Sequence, residues 1–153
     1  MVGKGAWCLR FSCDGKFLAV ANPCPPRGSS VRVYAVETGV LESDLQGHKG
    51  PVYALDWQRS NRLLSASGDG TVRIWRSKHP RTEEAILHHP TYVYAARFHP
   101  NAADTIATAG YDQVVRIWQR CGPDRFIILH ELVNHKSYVN CLEFDIDGQV
   151  KNG

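Results

Sequence analysis

The side chains that could do chemistry in this sequence occur as two matching sets, each containing an imidazole, a hydroxyl and a carboxylate. A serine or threonine hydroxyl, a histidine and an aspartate in contact can act as the nucleophile, the base and the orienting acid of a hydrolase. Repetition of the whole set, in the same order and at nearly the same spacing, raises a second interpretation in which the residues are structural. The two sets are His48, Ser65 and Asp69, then His89, Thr108 and Asp112.

Metal and redox chemistry have little support in the sequence. The histidines His88, His89 and His99 lie close together but lack a carboxylate or cysteine at metal-ligand spacing, so we interpret them as loop histidines. The five cysteines include no C-x-x-C pair, which argues against a zinc site and against a disulfide framework. Reduced thiols in a cytosolic compartment are therefore expected, and no cofactor is predicted.

Composition and charge exclude several classes of protein. Hydrophobic residues make up 43% and charged residues 22% of the 153 residues, which is typical of a globular domain. A net charge of +3 is too small to predict binding to nucleic acid or to an acidic membrane. No apolar run approaches the roughly 20 residues that span a bilayer, so no membrane span is predicted and a cytoplasmic location is expected.

An internal repeat runs through the chain. The segments HKGPVYALDW, HPTYVYAARF and HKSYVNCLEF begin at His48, His89 and His135, and LLSASGD and IATAGYD follow the first two. TVRIW and VVRIW then close two units whose tryptophans, Trp75 and Trp118, are 43 residues apart. An earlier, degenerate copy precedes them. The predicted units are residues 1–46, 47–87, 88–134 and an incomplete 135–153.

Each unit consists of short runs rich in Val, Ile, Leu and aromatic residues, separated by Gly, Pro, Asn or Asp. No segment keeps a 3.6-residue period, so an all-β protein with almost no helix is predicted. A unit of about 40 residues with four short strands has the size of a propeller blade. A single four-stranded sheet cannot bury both of its faces, and stacking repeated sheets solves that problem.

The motifs GH (47–48), SASGDGTVRIW and ATAGYDQVVRIW resemble the WD40-repeat family, although its Trp-Asp dipeptide is absent. The resemblance implies a WD40-type β-propeller fragment with about three four-stranded blades plus one extra strand, arranged as an open arc. Propellers close with four to eight blades, so further blades are expected to lie outside this chain. The final residues, QVKNG, are predicted to form no blade strand.

The resemblance also assigns a structural role to the repeated polar residues. In the family, a tryptophan, a hydroxyl, a histidine and an aspartate form one hydrogen-bonded tetrad in each blade, which would satisfy four buried polar groups at once. A hydroxyl held in this way is a poor nucleophile, so we expect no enzyme activity and keep a hydrolase only as the least favoured alternative. The implied tetrads are His48, Ser65, Asp69 and Trp75, and His89, Thr108, Asp112 and Trp118.

Alignment of the repeats nominates a partner-binding face on the loops at one end of the strands. Tyrosine supplies contact area at low entropic cost, and lysine supplies positive charge. We predict that this face binds other proteins, through an acidic or phosphorylated segment; a solvated rim without a partner is the alternative. The nominated residues are Lys49, Pro51, Tyr92, Tyr111, Lys136 and Tyr138.

A narrower resemblance is carried by LRFSCDGKFLAVA, VRVYAVETG and NHKSYVNCLEFDIDG. These segments are similar to a WD40 scaffold protein of the primary cilium, which implies a non-enzymatic role in cilium assembly at the transition zone and basal body. A generic WD40 adaptor, such as a ubiquitin-ligase substrate receptor, is the alternative. Because one fold serves many functions, these expectations depend on family likeness alone.

Overall fold

The computed structural model describes residues 8–23, 28–76, 82–102, 104–145 and 150–152. Within those ranges every regular element is a β-strand, as the absence of a helical period predicted. The first sheet contains β1 (Cys8–Phe11), β2 (Phe17–Pro23), β3 (Ser29–Ala35) and β4 (Leu41–His48). The second contains β5 (Val52–Trp57), β6 (Leu63–Ser67), β7 (Thr71–Trp75) and β8 (Glu83–His88). We call them sheets 1 and 2.

Sheet 3 contains β9 (Val93–Phe98), β10 (Thr105–Gly110), β11 (Val115–Arg120) and β12 (Phe126–Leu132). Each of these three sheets runs antiparallel with its strands side by side in chain order. This arrangement confirms the prediction of three four-stranded blades in an all-β fold.

A fourth sheet corrects the prediction for the last residues. It pairs β13 (Leu142–Phe144) with β14 (Val150–Asn152), antiparallel, so a strand forms where none was expected. The alignment opposes Leu142 to Asn152 and Phe144 to Val150. Pairing of this kind uses backbone N–H and C=O groups, which every non-proline residue carries, and so it does not require the apolar side chains on which the prediction relied.

Apolar clusters join each sheet to the next. Val31 and Val33 of sheet 1 pack with Trp57 and Trp75 of sheet 2. The next cluster contains residues such as Ile74 from sheet 2 together with Phe98 and Trp118 from sheet 3, and a third joins sheet 3 to Leu142 of the fourth sheet. The core is thus a series of layers between consecutive sheets.

Strand β6 shows why its sequence, LLSAS, is apolar without alternation. All five of its residues are buried. Leu63 belongs to the cluster against sheet 1, whereas Leu64 and Ala66 belong to the cluster against sheet 3. Successive side chains of a strand point to opposite faces, so a strand covered on both sides must be apolar at every position.

The strands β1, β5, β9 and β13 are the first of each sheet, and each contacts the next. The loops that precede β5, β9 and β13 therefore lie near one another. Because neighbouring strands are antiparallel, the turns β6–β7 and β10–β11 lie at that same end. This end, which we call the loop face, carries the residues nominated for partner binding.

Candidate functional site: a tyrosine surface on the loop face

A chain of hydrogen bonds joins the first polar set and connects the end of β4 to sheet 2. His48 Nδ1 lies 2.9 Å from Asp69 Oδ2, and His48 Nε2 lies 2.7 Å from Ser65 Oγ. The Trp75 indole N–H donates to the same hydroxyl oxygen at 2.9 Å. One consistent assignment has the imidazole donating to the carboxylate and accepting from the hydroxyl. The four implied tetrad residues thus lie in contact and connect the end of β4 to β6, to β7 and to the turn between them.

The carboxylate of Asp69 has further donors. The Lys49 backbone N–H reaches Oδ2 at 2.9 Å, and Thr71 donates to Oδ1 from its N–H at 2.9 Å and from its hydroxyl at 2.6 Å. Burial by itself raises the pKa of Asp69, but the hydrogen bonds from His48 and Thr71 outweigh it and hold the pKa well below its ordinary value. Asp69 is therefore a fixed anion that anchors the β6–β7 turn to the preceding loop.

The second set differs from the implied tetrad at its aspartate. His89 Nε2 and the Trp118 indole N–H both meet Thr108 Oγ1 at 2.8 Å, as in sheet 2. His89 Nδ1, however, lies 3.2 Å from the Leu87 carbonyl oxygen. The Asp112 carboxylate instead accepts a hydrogen bond from Arg116 at 2.6 Å. The expectation that Asp112 holds this histidine is corrected accordingly.

Two substitutions between the repeats account for the difference. The Lys49 N–H, which binds Asp69, has Pro90 as its counterpart, and proline has no N–H. The Thr71 hydroxyl has Val114 as its counterpart. Asp112 therefore lacks two of the donors that position Asp69, and the guanidinium of Arg116, four residues further along the chain in β11, takes their place.

The environment of His89 favours a neutral ring. Burial lowers its pKa to about 4, and the positive charge of Arg116 acts in the same direction. A neutral imidazole can accept a hydrogen bond at Nε2 from the Thr108 hydroxyl and donate one from Nδ1 to the Leu87 carbonyl, which matches the observed contacts.

Both hydroxyls are unsuited to nucleophilic attack. Ser65 and Thr108 are 0% exposed, and each is bonded to an indole N–H as well as to a histidine. A groove does reach Asp69 and His89, but neither hydroxyl lines it. A substrate carbonyl would have to approach within about 3 Å of the oxygen, which this packing prevents.

Metal ligation has no support in the part of the chain that the structure describes, because no three His, Cys, Asp or Glu side chains come together there. His88 lies exposed at the end of β8, and His89 is committed to Thr108. His99 Nδ1 accepts backbone N–H groups of Asn101 and Ala102, at 3.1 and 2.9 Å, and so it stabilises a turn.

Three of the nominated tyrosines form one exposed group. Tyr92, Tyr111 and Tyr138 are 52, 57 and 52% exposed. The ring centroids of Tyr92 and Tyr111 lie 6.1 Å apart, and those of Tyr111 and Tyr138 lie 6.4 Å apart with planes only 8° from parallel. Residues from the β8–β9 loop, the β10–β11 turn and the loop before β13 are thus brought together.

Two further tyrosines extend this group and were not nominated from the sequence. Tyr94 packs edge-on against Tyr138 at 6.0 Å, and Tyr53 packs against Tyr94 at 5.2 Å. Each directly follows the first valine of its strand, β5 or β9, and that shared register was the available signal. We call the five rings, Tyr53, Tyr92, Tyr94, Tyr111 and Tyr138, the tyrosine surface.

A groove of about 440 Å³ lies beside the tyrosine surface. Tyr92 and Tyr111 line one part of it, and the β6–β7 turn with Gly68 lines another. Gly68 stands where the next repeat has Tyr111, and a Cβ there would come within 3.1 Å of the Tyr53 ring. The missing side chain makes room for Tyr53 and leaves the groove open.

The charge exposed on the loop face is positive. Lys49 and Lys136 are exposed, and Pro51, two residues after Lys49, is half-buried. The acidic groups of the adjoining turns already have partners: Asp69 binds His48, and Asp112 binds Arg116. All six nominated residues therefore lie on this face, where they carry aromatic rings and positive charge.

The repeated four-stranded sheets and the buried tryptophan–hydroxyl–histidine contacts define a WD40-type β-propeller structure. The family model "WD domain, G-beta repeat" matches residues 39–76 and 81–119, and the chain belongs to this family. It is 38% identical to Jouberin of Rattus norvegicus and of Mus musculus over 149 residues, or 95% of this chain. That match spans only 14% of the length of either Jouberin.

Other similarities support the fold. The chain is 33% identical to the guanine nucleotide-binding protein subunit beta of Arabidopsis thaliana over 105 residues, which are 65% of this chain and 28% of that protein. A chain in the crystal structure of the mitotic checkpoint complex matches with a TM-score of 0.84 and 23% identity, covering 100% of this chain and 45% of that one. Among the described residues, no helix has the length and apolar character needed to cross a membrane.

Proposed function

We propose that this chain is part of a non-enzymatic scaffold that acts in cilium assembly, at the transition zone and basal body, and that binds other proteins through its loop face. The observation that carries the proposal is the 38% identity to Jouberin over 95% of the chain. Membership of the WD40 family supports the coarser role in protein interaction. The ciliary location depends on the similarity to Jouberin.

The geometry of the loop face supports a binding role for it. Clustered aromatic side chains on a surface gain free energy when a partner buries them, and tyrosine is enriched at the residues that dominate protein interfaces. Three tyrosines here are about half exposed and in ring contact with one another. The buried polar networks beneath hold the loops in place, so the surface is preorganised for a partner.

The location is tested by expressing the chain, tagged, in ciliated cells and imaging it with a basal-body marker. We expect enrichment at the ciliary base. A diffuse cytoplasmic distribution, with recovery of ubiquitin-ligase subunits instead of ciliary proteins, would support the generic adaptor in place of the ciliary scaffold.

The binding face is tested by proximity labelling with a Tyr92→Ala, Tyr111→Ala double variant. Loss of both rings should reduce labelling of ciliary-base proteins at least severalfold with only a small decrease in the unfolding midpoint, since both rings are about half exposed. Tyr92→Phe with Tyr111→Phe is the matched control, which keeps the rings. Unchanged labelling by the alanine variant at every partner would contradict the assignment.

A further inference from the structure

We infer that a cavity between the first strands of the four sheets binds a single phosphate group, held between the guanidinium groups of Arg10 and Arg97. This inference goes beyond the proposed function, because the ligand is a small anion and the site lies among the strands. The charges that line the cavity, the position of the nearest carboxylates and the size of the space each contribute one part of the argument.

The charge that lines the cavity is positive. Residues from the first strand of every sheet surround a space of about 160 Å³. Arg10 comes from β1 and Arg97 from β9, so the first strand of sheet 2 lies between the two arginines. Asn140, two residues before β13, adds an amide donor to the same wall. Among the described residues that line this cavity there is no aspartate or glutamate, so nothing in its wall balances the two guanidinium groups.

Neither arginine forms an ion pair with another described residue. Arg97 donates from Nη1 to the Ala96 carbonyl oxygen at 3.1 Å, and its other N–H groups can meet a ligand. A guanidinium carries five N–H donors in a planar fork that matches two oxygens of a phosphate group. The arginines that do form ion pairs are Arg32, Arg62, Arg73, Arg76, Arg116 and Arg120.

The nearest carboxylate is held outside the cavity. Arg10 and Arg97 each precede the aromatic residue that ends its strand, and Asp56 has the same position in β5. Asp56 Oδ2 accepts the Phe98 backbone N–H at 2.8 Å, and Asp56 lines a different groove, at the end of the strands opposite the loop face. Burial raises the pKa of Asp56 although both arginines act in the opposite direction, as expected for a carboxylate in direct contact with neither. One carboxylate cannot neutralise two guanidinium groups, so a positive charge remains for a ligand.

The size of the cavity restricts the ligand to a small anion. Pockets for drug-sized ligands measure about 300–1,000 Å³, whereas this cavity of about 160 Å³ suits one phosphate group with at most a short substituent. The two arginines belong to different strands, and a tetrahedral phosphate can present one pair of oxygens to each guanidinium. A carboxylate has two oxygens in one plane and can pair in this way with a single guanidinium only. Phosphate therefore fits the site better than a carboxylate does.

The test measures binding of inorganic phosphate to the purified 153-residue chain by isothermal titration calorimetry, with chloride used to keep the ionic strength constant. We expect saturable binding that is at least tenfold tighter than binding of acetate. Arg10→Gln and Arg97→Gln should each weaken phosphate binding at least tenfold, since each removes a pair of charge-assisted hydrogen bonds. Arg97→Lys keeps the charge without the planar fork, so its affinity should lie between those of the wild type and Arg97→Gln.

The matched control is Arg125→Gln, which removes the same charge from an exposed arginine in the loop between β11 and β12, outside the cavity. We expect it to keep the wild-type affinity. Methyl phosphate identifies the source of the group: equal affinity assigns the site to a phosphate ester as well, and much weaker binding assigns it to the free ion. Equal affinity for phosphate and acetate, or an equal loss of affinity in Arg125→Gln, would overturn the inference.

Alkylation of two exposed cysteines locates the bound ion in the wild-type chain, so this measurement does not depend on the folding of any variant. Cys141 lines the cavity, whereas Cys121 lies outside it. Saturating phosphate should slow the reaction of Cys141 with iodoacetamide severalfold and leave that of Cys121 unchanged, as measured by mass spectrometry. An unchanged rate at Cys141 would place the ion elsewhere and contradict the inference.

Discussion

Replacing Thr108 with valine isolates the buried hydroxyl on which two side chains depend. Valine keeps the shape of threonine but has no hydroxyl, so no cavity forms. His89 Nε2 and the Trp118 indole N–H, each 2.8 Å from Thr108 Oγ1, would both lose their partner. Thr108 is fully buried, and so water cannot replace the lost hydrogen bonds without opening the sheet.

The size of the effect follows from those two groups. An unsatisfied buried polar group costs about 1–3 kcal/mol, and two of them should lower the free energy of unfolding by about 3 kcal/mol. For a chain of this size, that loss corresponds to a decrease in Tm of roughly 6–12 °C. Urea unfolding followed by tryptophan fluorescence and by circular dichroism measures it, and an unchanged m-value would confirm that the change lies in stability.

Thr108→Ser is the matched variant, because it keeps the hydroxyl and removes one methyl group. Its expected cost is about 1 kcal/mol, from lost burial alone. The valine variant should therefore be clearly less stable than the serine variant. A valine variant as stable as the serine variant, or more stable, would show that the hydrogen bonds of the Thr108 hydroxyl do not stabilise the sheet.

Two other predictions concern the same repeat. Burial lowers the pKa of His89 from 6.5 to about 4, so the free energy of unfolding should fall as the pH drops from 6.5 towards 4, by about 3 kcal/mol in all. His89→Gln should reduce the difference between the free energies of unfolding measured in urea at pH 7 and at pH 4.5. An equal difference in both proteins would refute this cause. Gln113 has φ +66° where the preceding repeat has Gly70 at φ +80°, so Gln113→Gly should stabilise the chain by about 1 kcal/mol in thermal unfolding. The reverse change, Gly70→Gln, should destabilise it by at least as much, since a Cβ there would meet the His89 carbonyl oxygen at 3.2 Å; shifts of the same sign would count against the argument.

The repeat in the sequence was sufficient to predict the architecture, because a buried two-faced sheet needs the same short apolar strands each time. Aligning Trp75 with Trp118 placed the strands, and the family resemblance implied the contacts that His48 makes with Ser65 and Asp69. These features are local and recur with a fixed register, so side-chain type and spacing carry most of the information.

The departures had other causes. Asp112 does not bind its histidine because Pro90 lacks the N–H and Val114 lacks the hydroxyl that hold Asp69 in the preceding repeat. An alignment of the tetrad positions alone does not include these two donors. Tyr53 and Tyr94 belong to the tyrosine surface because their rings pack against each other from different sheets. An alignment of the repeats compares equivalent positions and does not show contacts between sheets. Strand β14 forms through backbone hydrogen bonds, which a prediction from the pattern of apolar side chains does not detect.

The two-sided burial of sheet 2 has a consequence for how a change spreads through the chain. Each sheet rests only on its immediate neighbours, so the stack behaves as a one-dimensional series of coupled blocks. A defect in β6 weakens the contacts on both of its sides, whereas one in β2 is transmitted in a single direction within the described chain. Loss of order should accordingly start at the outer blocks and move inward, and the middle block should keep its backbone amides from exchanging with solvent the longest.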